Sequence, residues 1–251
     1  MTATTESSPA MQFVFPAHLQ TLGHQNPDGY HQELLRGLTH KLNNLLAIIQ
    51  GFSSLILMNE DLDASVQENM QHIKEASVNI SALSERIRAA GGCAKVNLQP
   101  LGLSEYLSVV DASLREPFNK AGVPFEMHIG ANLPQVSVDP SKLKELLLEV
   151  LRNAAEGAQK NGGRAMMQIT GPGQVTTDRE PRVDILVSNT GSDISPEKAM
   201  DIFRPFVGTK NSHHLGLGLT IAAMLCHQMG LRFGVNSQNN TTTFWVSVPL
   251  A

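Results

Sequence analysis

Apolar residues between positions 35 and 56 recur in alternating steps of three and four: Leu35, Leu38, Leu42, Leu45, Ile49, Phe52 and Ile56. That spacing predicts a long helix with a heptad seam, from about 28 to 59. Asn26-Pro27-Asp28 supplies turn and capping chemistry at its start. Asn59-Glu60-Asp61-Leu62-Asp63 breaks the pattern, and a second helix is expected up to Ala90 with the seam Ile73, Ala76, Ile80, Leu83, Ile87 and Ala90. Gly91-Gly92 stops it. Two such helices form an antiparallel hairpin with more apolar seam than it can cover alone, so a dimeric four-helix bundle is the expected remedy. At about 100° per residue, His40 lies roughly 160° from the centre of the first seam. Asn44, one turn on, shares its face. A helix that buries the leucines therefore leaves this imidazole in water.

From about residue 95 the texture changes to short strands mixed with helices. Val96–Leu98, Val123–Ile129, Ala165–Thr170, Val183–Ser188 and Thr241–Val248 read as strands. Ser104 to about Lys120, Pro140–Gln159 and Leu217–Met229 read as helices. The expected fold class is α plus α/β, a helical hairpin followed by a two-layer α/β sandwich. The domains are placed at 1–27 (a flexible N-terminal segment with one short apolar patch, Met11 to Phe15), 28–92 and 93–251.

Composition narrows the function classes. The chain has 251 residues, 41% hydrophobic and 17% charged, with a formal net charge of −4 and no concentrated basic patch. Neither nucleic acid nor an acidic membrane surface is suggested as a partner. Two cysteines far apart argue against a disulfide framework, and no run approaches the ~20 apolar residues that span a bilayer. A cytoplasmic setting is expected. The nine histidines are scattered without cysteine or carboxylate partners at ligand spacing.

Four blocks in the second half could carry chemistry. Glu149 and Asn153, within Glu149-Val150-Leu151-Arg152-Asn153-Ala154-Ala155-Glu156, share a helix face. The carboxylate can polarise a nucleophile while the amide oxygen holds Mg²⁺ that bridges phosphates. Val187-Ser188-Asn189-Thr190-Gly191 offers a polar acceptor and a tight turn able to read an exocyclic purine amine. Ile202-Phe203-Arg204-Pro205-Phe206-Val207-Gly208-Thr209-Lys210 is a loop with two aromatics and a lysine. Leu215-Gly216-Leu217-Gly218-Leu219-Thr220 opens a helix, where glycines admit a phosphate to unpaired backbone N–H groups. Taken singly, each block also has a plain structural reading: a solvated face, a β-turn, a Phe-anchored loop, a bare G-x-G. Four blocks in this order and spacing are specific.

Together these blocks resemble a bacterial two-component sensor histidine kinase, over residues from about 30 to 249. Thr39-His40-Lys41-Leu42-Asn43-Asn44-Leu45-Leu46 looks like the phosphoacceptor H-box. The four blocks look like the N-box, G1 box, F-box and G2 box of a GHKL-type ATP-binding domain. The nitrogen-regulator-like branch matches best, because the H-box continues as Asn-Asn-Leu and Thr-Lys precedes the G2 box. The resemblance implies that His40 accepts the γ-phosphoryl of ATP and passes it to an aspartate on a response regulator receiver domain. It also implies a homodimer, input from a separate sensory partner or through the N-terminal segment, and ATP with Mg²⁺ as cofactors. Asn153 would ligate the metal and Asn189 would face the adenine. Gly191, Gly216 and Gly218 would shape the phosphate cradle, with Phe206 and Lys210 beside it. Glu149 stands where gyrase-like and chaperone-like relatives carry a hydrolytic base, and Asn44 where the family can orient a water for dephosphorylation.

The chain departs from the family pattern at several positions. Lys41 replaces the acidic residue that usually follows the histidine, and a protonated lysine cannot act as a base. Asn189 stands for the usual Asp of G1, Asp193 for its second glycine, and His214 for the first position of G2. A kinase-degenerate phosphotransfer protein or response-regulator phosphatase is therefore the alternative, and a gyrase- or chaperone-like ATPase clamp ranks third.

Overall fold

The computed structural model describes residues 29–59, 61–175, 180–191, 193–199, 201–207 and 216–251. Residues 1–27, Lys210 and His214 lie outside them. Among the described residues the chain divides into two compact units, 29–95 and 96–251.

The first unit is a hairpin of α1 (Gly29–Leu57) and α2 (Ala64–Ala90). Asp63 caps α2 by accepting a 2.8 Å hydrogen bond from the Ser65 N–H. Gly91 ends it where an added Cβ would meet the Leu35 side chain. The face that α1 turns toward α2 is not the leucine stripe. Thr39, Leu46 and Ser53 are buried on α1, and Ser77, Ser84 and Ala89 on α2. Asn43 donates to Glu85 at 2.9 Å, and Gln50 donates to Ser81 at 3.3 Å. The hairpin seam is thus largely polar. Leu38, Leu42, Leu45, Ile49, Phe52 and Ile56 remain exposed, as do Ile73 and Ile80 on α2. The heptad positions are helical as expected, but only Leu35, Leu83, Ile87 and Ala90 are half-buried within the hairpin, and the rest are exposed.

The second unit runs β1 (Gln99–Leu101), α3 (Leu103–Ala121), β2 (Phe125–Ile129), β3 (Val136–Val138), α4 (Pro140–Gln159), β4 (Ala165–Thr170), β5 (Arg182–Thr190), α5 (Pro196–Ala199), α6 (Gly218–Gln228), β6 (Arg232–Gln238) and β7 (Thr241–Pro249). Five strands form one sheet in the order β2-β4-β5-β7-β6, with β2 and β4 parallel and the other pairs antiparallel. β1 and β3 make a small antiparallel pair of their own. Strand periodicity sends alternate residues to opposite faces. Ile169, Ile185, Val246 and Phe233 therefore form one row across four strands, and all are buried. On this inner face lie α3, α4 and α6. Their apolar stripes supply Leu107, Leu114 and Phe118, then Leu143, Leu147 and Val150, then Ile221 and Leu225. The second layer of the expected sandwich is this helical one.

Two strands escape the sequence pattern and one shifts. β3 is three residues long, and β6 is broken by Gly234 and Asn236. The first strand begins at Gln99 rather than Val96. It contains Pro100, which a two-stranded edge tolerates because no second neighbour needs its missing N–H.

Asp139 fixes the start of α4. Its carboxylate accepts from the Ser141 N–H at 2.9 Å, the Lys142 N–H at 3.1 Å and the Asn97 N–H at 2.8 Å. Burial raises its pKa, but these hydrogen bonds outweigh burial and hold the group below its ordinary 3.8. A depressed carboxylate contributes stability above its unfolded pKa and loses it as pH falls through the folded value. Asp139→Ala should cost about 1 kcal/mol or more at neutral pH, since a cap and a long-range tie are lost together. Thermal unfolding followed from pH 7 down to pH 2 should show the gap between variant and parent closing below about pH 4.

Candidate functional site

The phosphoacceptor candidate sits on the third face of α1. His40 is exposed, between the polar seam on one side and the leucine stripe on the other. At 3.5 Å its Nδ1 accepts from the Asn44 side-chain Nδ2 one turn on. Lys41 is exposed beside it, and Gly37 has open space where a Cβ would go. A nucleophile here is reachable from solvent.

In the second unit, α4, the end of β5 and the start of α6 converge. Glu149 is 7% exposed and accepts from Arg152 at 2.9 Å. An ideal Cβ on Gly218 would stand 2.7 Å from Glu149 Oε2, so a side chain at 218 would have to displace that carboxylate. Asn153, four residues after Glu149, is half-buried on the same helix. A single amide oxygen suits a small hard cation that takes its other ligands from phosphate and water.

Asn189 is buried on the inner face of β5, opposite Ala165 and Thr242. Gly191 follows at φ 95°, with its N–H donating to the Asn240 carbonyl at 3.0 Å and its own carbonyl accepting from the Asn161 side chain. That left-handed turn ends the strand. Asp193 is exposed.

The two glycine-rich blocks meet through the backbone. Phe206 donates its N–H to the Gly216 carbonyl at 3.0 Å. At Gly216, φ is 65° and a Cβ would lie 2.7 Å from the Val207 carbonyl oxygen, so only glycine fits. Phe206 itself has φ 64° and its ring is exposed, whereas Phe203 is buried against Phe233 and its carbonyl accepts from Thr220 Oγ1 at 2.9 Å. Of the two loop aromatics, one anchors the fold and the other is held outward. Glu149, Asn153, Gly216, Gly218 and Phe206 thus frame the N-terminus of α6, where the first backbone N–H groups and the helix dipole favour anionic oxygens. Sequence reasoning did not find Asn161, whose amide closes the Gly191 turn, or Arg152, which pairs with Glu149. Asn161 lies outside the four blocks, and Arg152 lies within one but at a position that no period or motif singles out.

Comparison with known proteins agrees with this arrangement. Residues 138–251 match the family described as histidine kinase-, DNA gyrase B- and HSP90-like ATPase. The sensory histidine kinase/phosphatase NtrB of Proteus hauseri is 27% identical over 224 residues, covering 87% of this chain and 62% of that one. The sensor protein kinase PilS of Pseudomonas aeruginosa is 28% identical over 195 residues, covering 77% of this chain and 36% of its own length. Among solved structures, full-length ShkA in complex with AMPPNP superposes with a TM-score of 0.66 at 22% identity, over 95% of this chain and 47% of that one. This chain therefore spans about three fifths or less of these relatives. Among its described residues, no helix is long and apolar enough to cross a membrane. The ATP-binding sandwich thus matches the histidine kinase-, DNA gyrase B- and HSP90-like ATPase family over residues 138–251, and the hairpin together with the sandwich is similar to sensor histidine kinases such as NtrB.

Proposed function

We propose that the protein is an ATP-dependent histidine kinase that phosphorylates its own His40 and passes the phosphoryl group to an aspartate of a response regulator. The observation that carries the reading is an exposed imidazole, contacted at Nδ1 by Asn44, on a helix joined to a domain of the ATP-binding family. In the transfer, Nε2 of His40 forms the N–P bond while the bond between the γ-phosphorus and the bridging oxygen of ATP breaks. The electron pair leaves with ADP, and the ring proton of the imidazole is released. Such a step asks mainly for positioning and charge neutralisation. Mg²⁺ would supply part of that neutralisation, with Asn153 as its protein ligand. Asn189 would take the adenine end, Gly191, Gly216 and Gly218 the backbone approach to the phosphates, and Phe206 and Lys210 the adjoining loop. Glu149 would polarise a group beside the phosphates while Arg152 holds it in place.

Homodimerisation belongs to this reading. The exposed stripe from Leu38 to Ile56 has six large apolar residues on α1 alone. Each contributes about 1.5–3 kcal/mol when fully buried, so their cover by a second copy offsets a substantial association cost. Packing stripe to stripe leaves the His40 face free for the ATP domain and for a receiver domain. Input would come from a separate sensory partner, and a cytoplasmic setting fits a receiver domain as partner.

Lys41 favours a second reading in the same family: a response-regulator phosphatase or phosphotransfer protein, with Asn44 orienting a water. Labelled ATP with Mg²⁺ separates the two. The kinase reading expects acid-labile, base-stable label on the protein. His40→Gln should reduce it to background without lowering the unfolding temperature, because the residue is exposed. Asn153→Ala should abolish Mg²⁺-dependent labelling and keep the fold. If Lys41 withholds a proton acceptor, Lys41→Glu should raise the labelling rate by roughly 10²-fold, the lower end of what a positioned base contributes. An unlabelled wild type that still binds nucleotide and dephosphorylates a receiver would establish the second reading.

A further inference from the structure

Asn189, Thr242 and Ser237 stand in one row across the inner face of the sheet, at the end where β5 stops. Asn189 on β5 lies opposite Thr242 on β7, and Thr242 lies opposite Ser237 on β6. On its other side Asn189 meets Ala165 of β4, a single methyl group. Both central residues are deep: Asn189 is 2% exposed and Thr242 is 1% exposed. Ile194 donates its N–H to Ser237 Oγ at 2.8 Å, and Ser237 Oγ stands 2.9 Å from Thr242 Oγ1. Either hydroxyl can be the donor in that last pair. The row thus consists of an amide and two hydroxyls, and each of these groups can both give and accept a hydrogen bond. Ala165, Asn189, Thr242 and Ser237 carry no ionised group.

We propose that this row lets the nucleotide site take 6-oxopurine nucleotides, of the inosine class, as well as the 6-aminopurine of ATP. The inference rests on the reading above, in which Asn189 takes the base end, and adds what that end can tell apart. Adenine presents an amino donor at position 6 beside an unprotonated, accepting N1. A 6-oxopurine inverts the pair, with an accepting carbonyl at position 6 beside a protonated N1. An aspartate at this place on β5, having no proton to give when ionised, accepts from the adenine amine and repels the carbonyl. Asparagine suits both bases. Its Oδ1 accepts from the amine while its Nδ2 donates to the bare N1, and a half-turn of the same amide serves the oxo base. Thr242 alongside can follow that exchange, because its proton is free to point at Ser237 or away from it. With no fixed charge in the row, nothing electrostatic selects one orientation of the amide over the other.

Displacement of a fluorescent ATP analogue from the full chain, with Mg²⁺ present, reads this specificity. Inosine triphosphate is the probe, since it differs from ATP only at position 6 and in the N1 proton and lacks the extra amino group of guanine. Wild-type protein should bind the two within about tenfold of each other. Asn189→Asp should widen that ratio in favour of ATP by roughly 10- to 100-fold, the discrimination that one well-placed bidentate pair supplies. The ratio is taken within each protein, so a lower folded fraction of the variant cancels. A second measurement needs no variant: purine riboside triphosphate, with hydrogen at position 6, should bind the wild type at least about tenfold more weakly than either nucleotide. Inosine triphosphate weaker than ATP by more than about tenfold in the wild type would overturn the inference and leave the kinase reading standing. An unchanged ratio in Asn189→Asp, or purine riboside triphosphate as tight as ATP, would overturn it too. Binding of none of the three would overturn the nucleotide-binding reading itself.

Discussion

The seam between α1 and α2 is polar, and much else follows from that. Thr39, Asn43, Gln50 and Ser53 face Ser77, Ser81, Ser84 and Glu85, with Leu46 the one large aliphatic chain buried on the α1 side. Such a seam joins two helices with hydrogen bonds whose net worth is only about 1 kcal/mol each. The apolar surface that could hold the hairpin firmly points away from it. A helix therefore carries three faces: one for its own chain, one that is apolar and exposed, and one that bears His40, Asn44 and Lys41. Division of the surface, rather than any special property of the imidazole, is what leaves His40 accessible on a packed helix.

The ATP-binding unit works by a different constraint, close approach. At Gly218 the missing side chain leaves the Glu149 carboxylate its place, and at Gly216 a left-handed φ lets the loop backbone fold onto Val207. Those two contacts set the start of α6 beside Glu149 and the Phe206–Val207 backbone. Sheet and helices supply the rigidity; the glycines decide how closely the backbones pack.

The sequence was informative where a physical period or a compact motif recorded the structure. Heptad spacing marked α1 and α2 as helices and placed His40 off the stripe. It could not say which partner the stripe meets, because a period specifies a face and not its neighbour. The glycine blocks were legible because positive φ and close contact leave few other residues possible. β3 and β6 were not, since three residues carry no period and Gly234 with Asn236 interrupts one. Asp139 reads as a helix cap before Pro140, yet its bond to Asn97 is a contact across 42 positions that no local pattern encodes. Burial of Trp245 and Leu186 on the outer face was equally invisible, because alternation assigns a side to each residue and says nothing of what lies beyond it.

Sedimentation equilibrium of the full chain across micromolar concentrations tests the central claim most directly, with Leu45→Glu and Phe52→Glu as the paired variant. Burial of the leucine stripe by a second copy requires a dimer in the wild type, and loss of both dimer and hairpin helicity in the variant while nucleotide still binds. A wild-type monomer with a fully formed hairpin, or a dimer indifferent to the two charges, would contradict it.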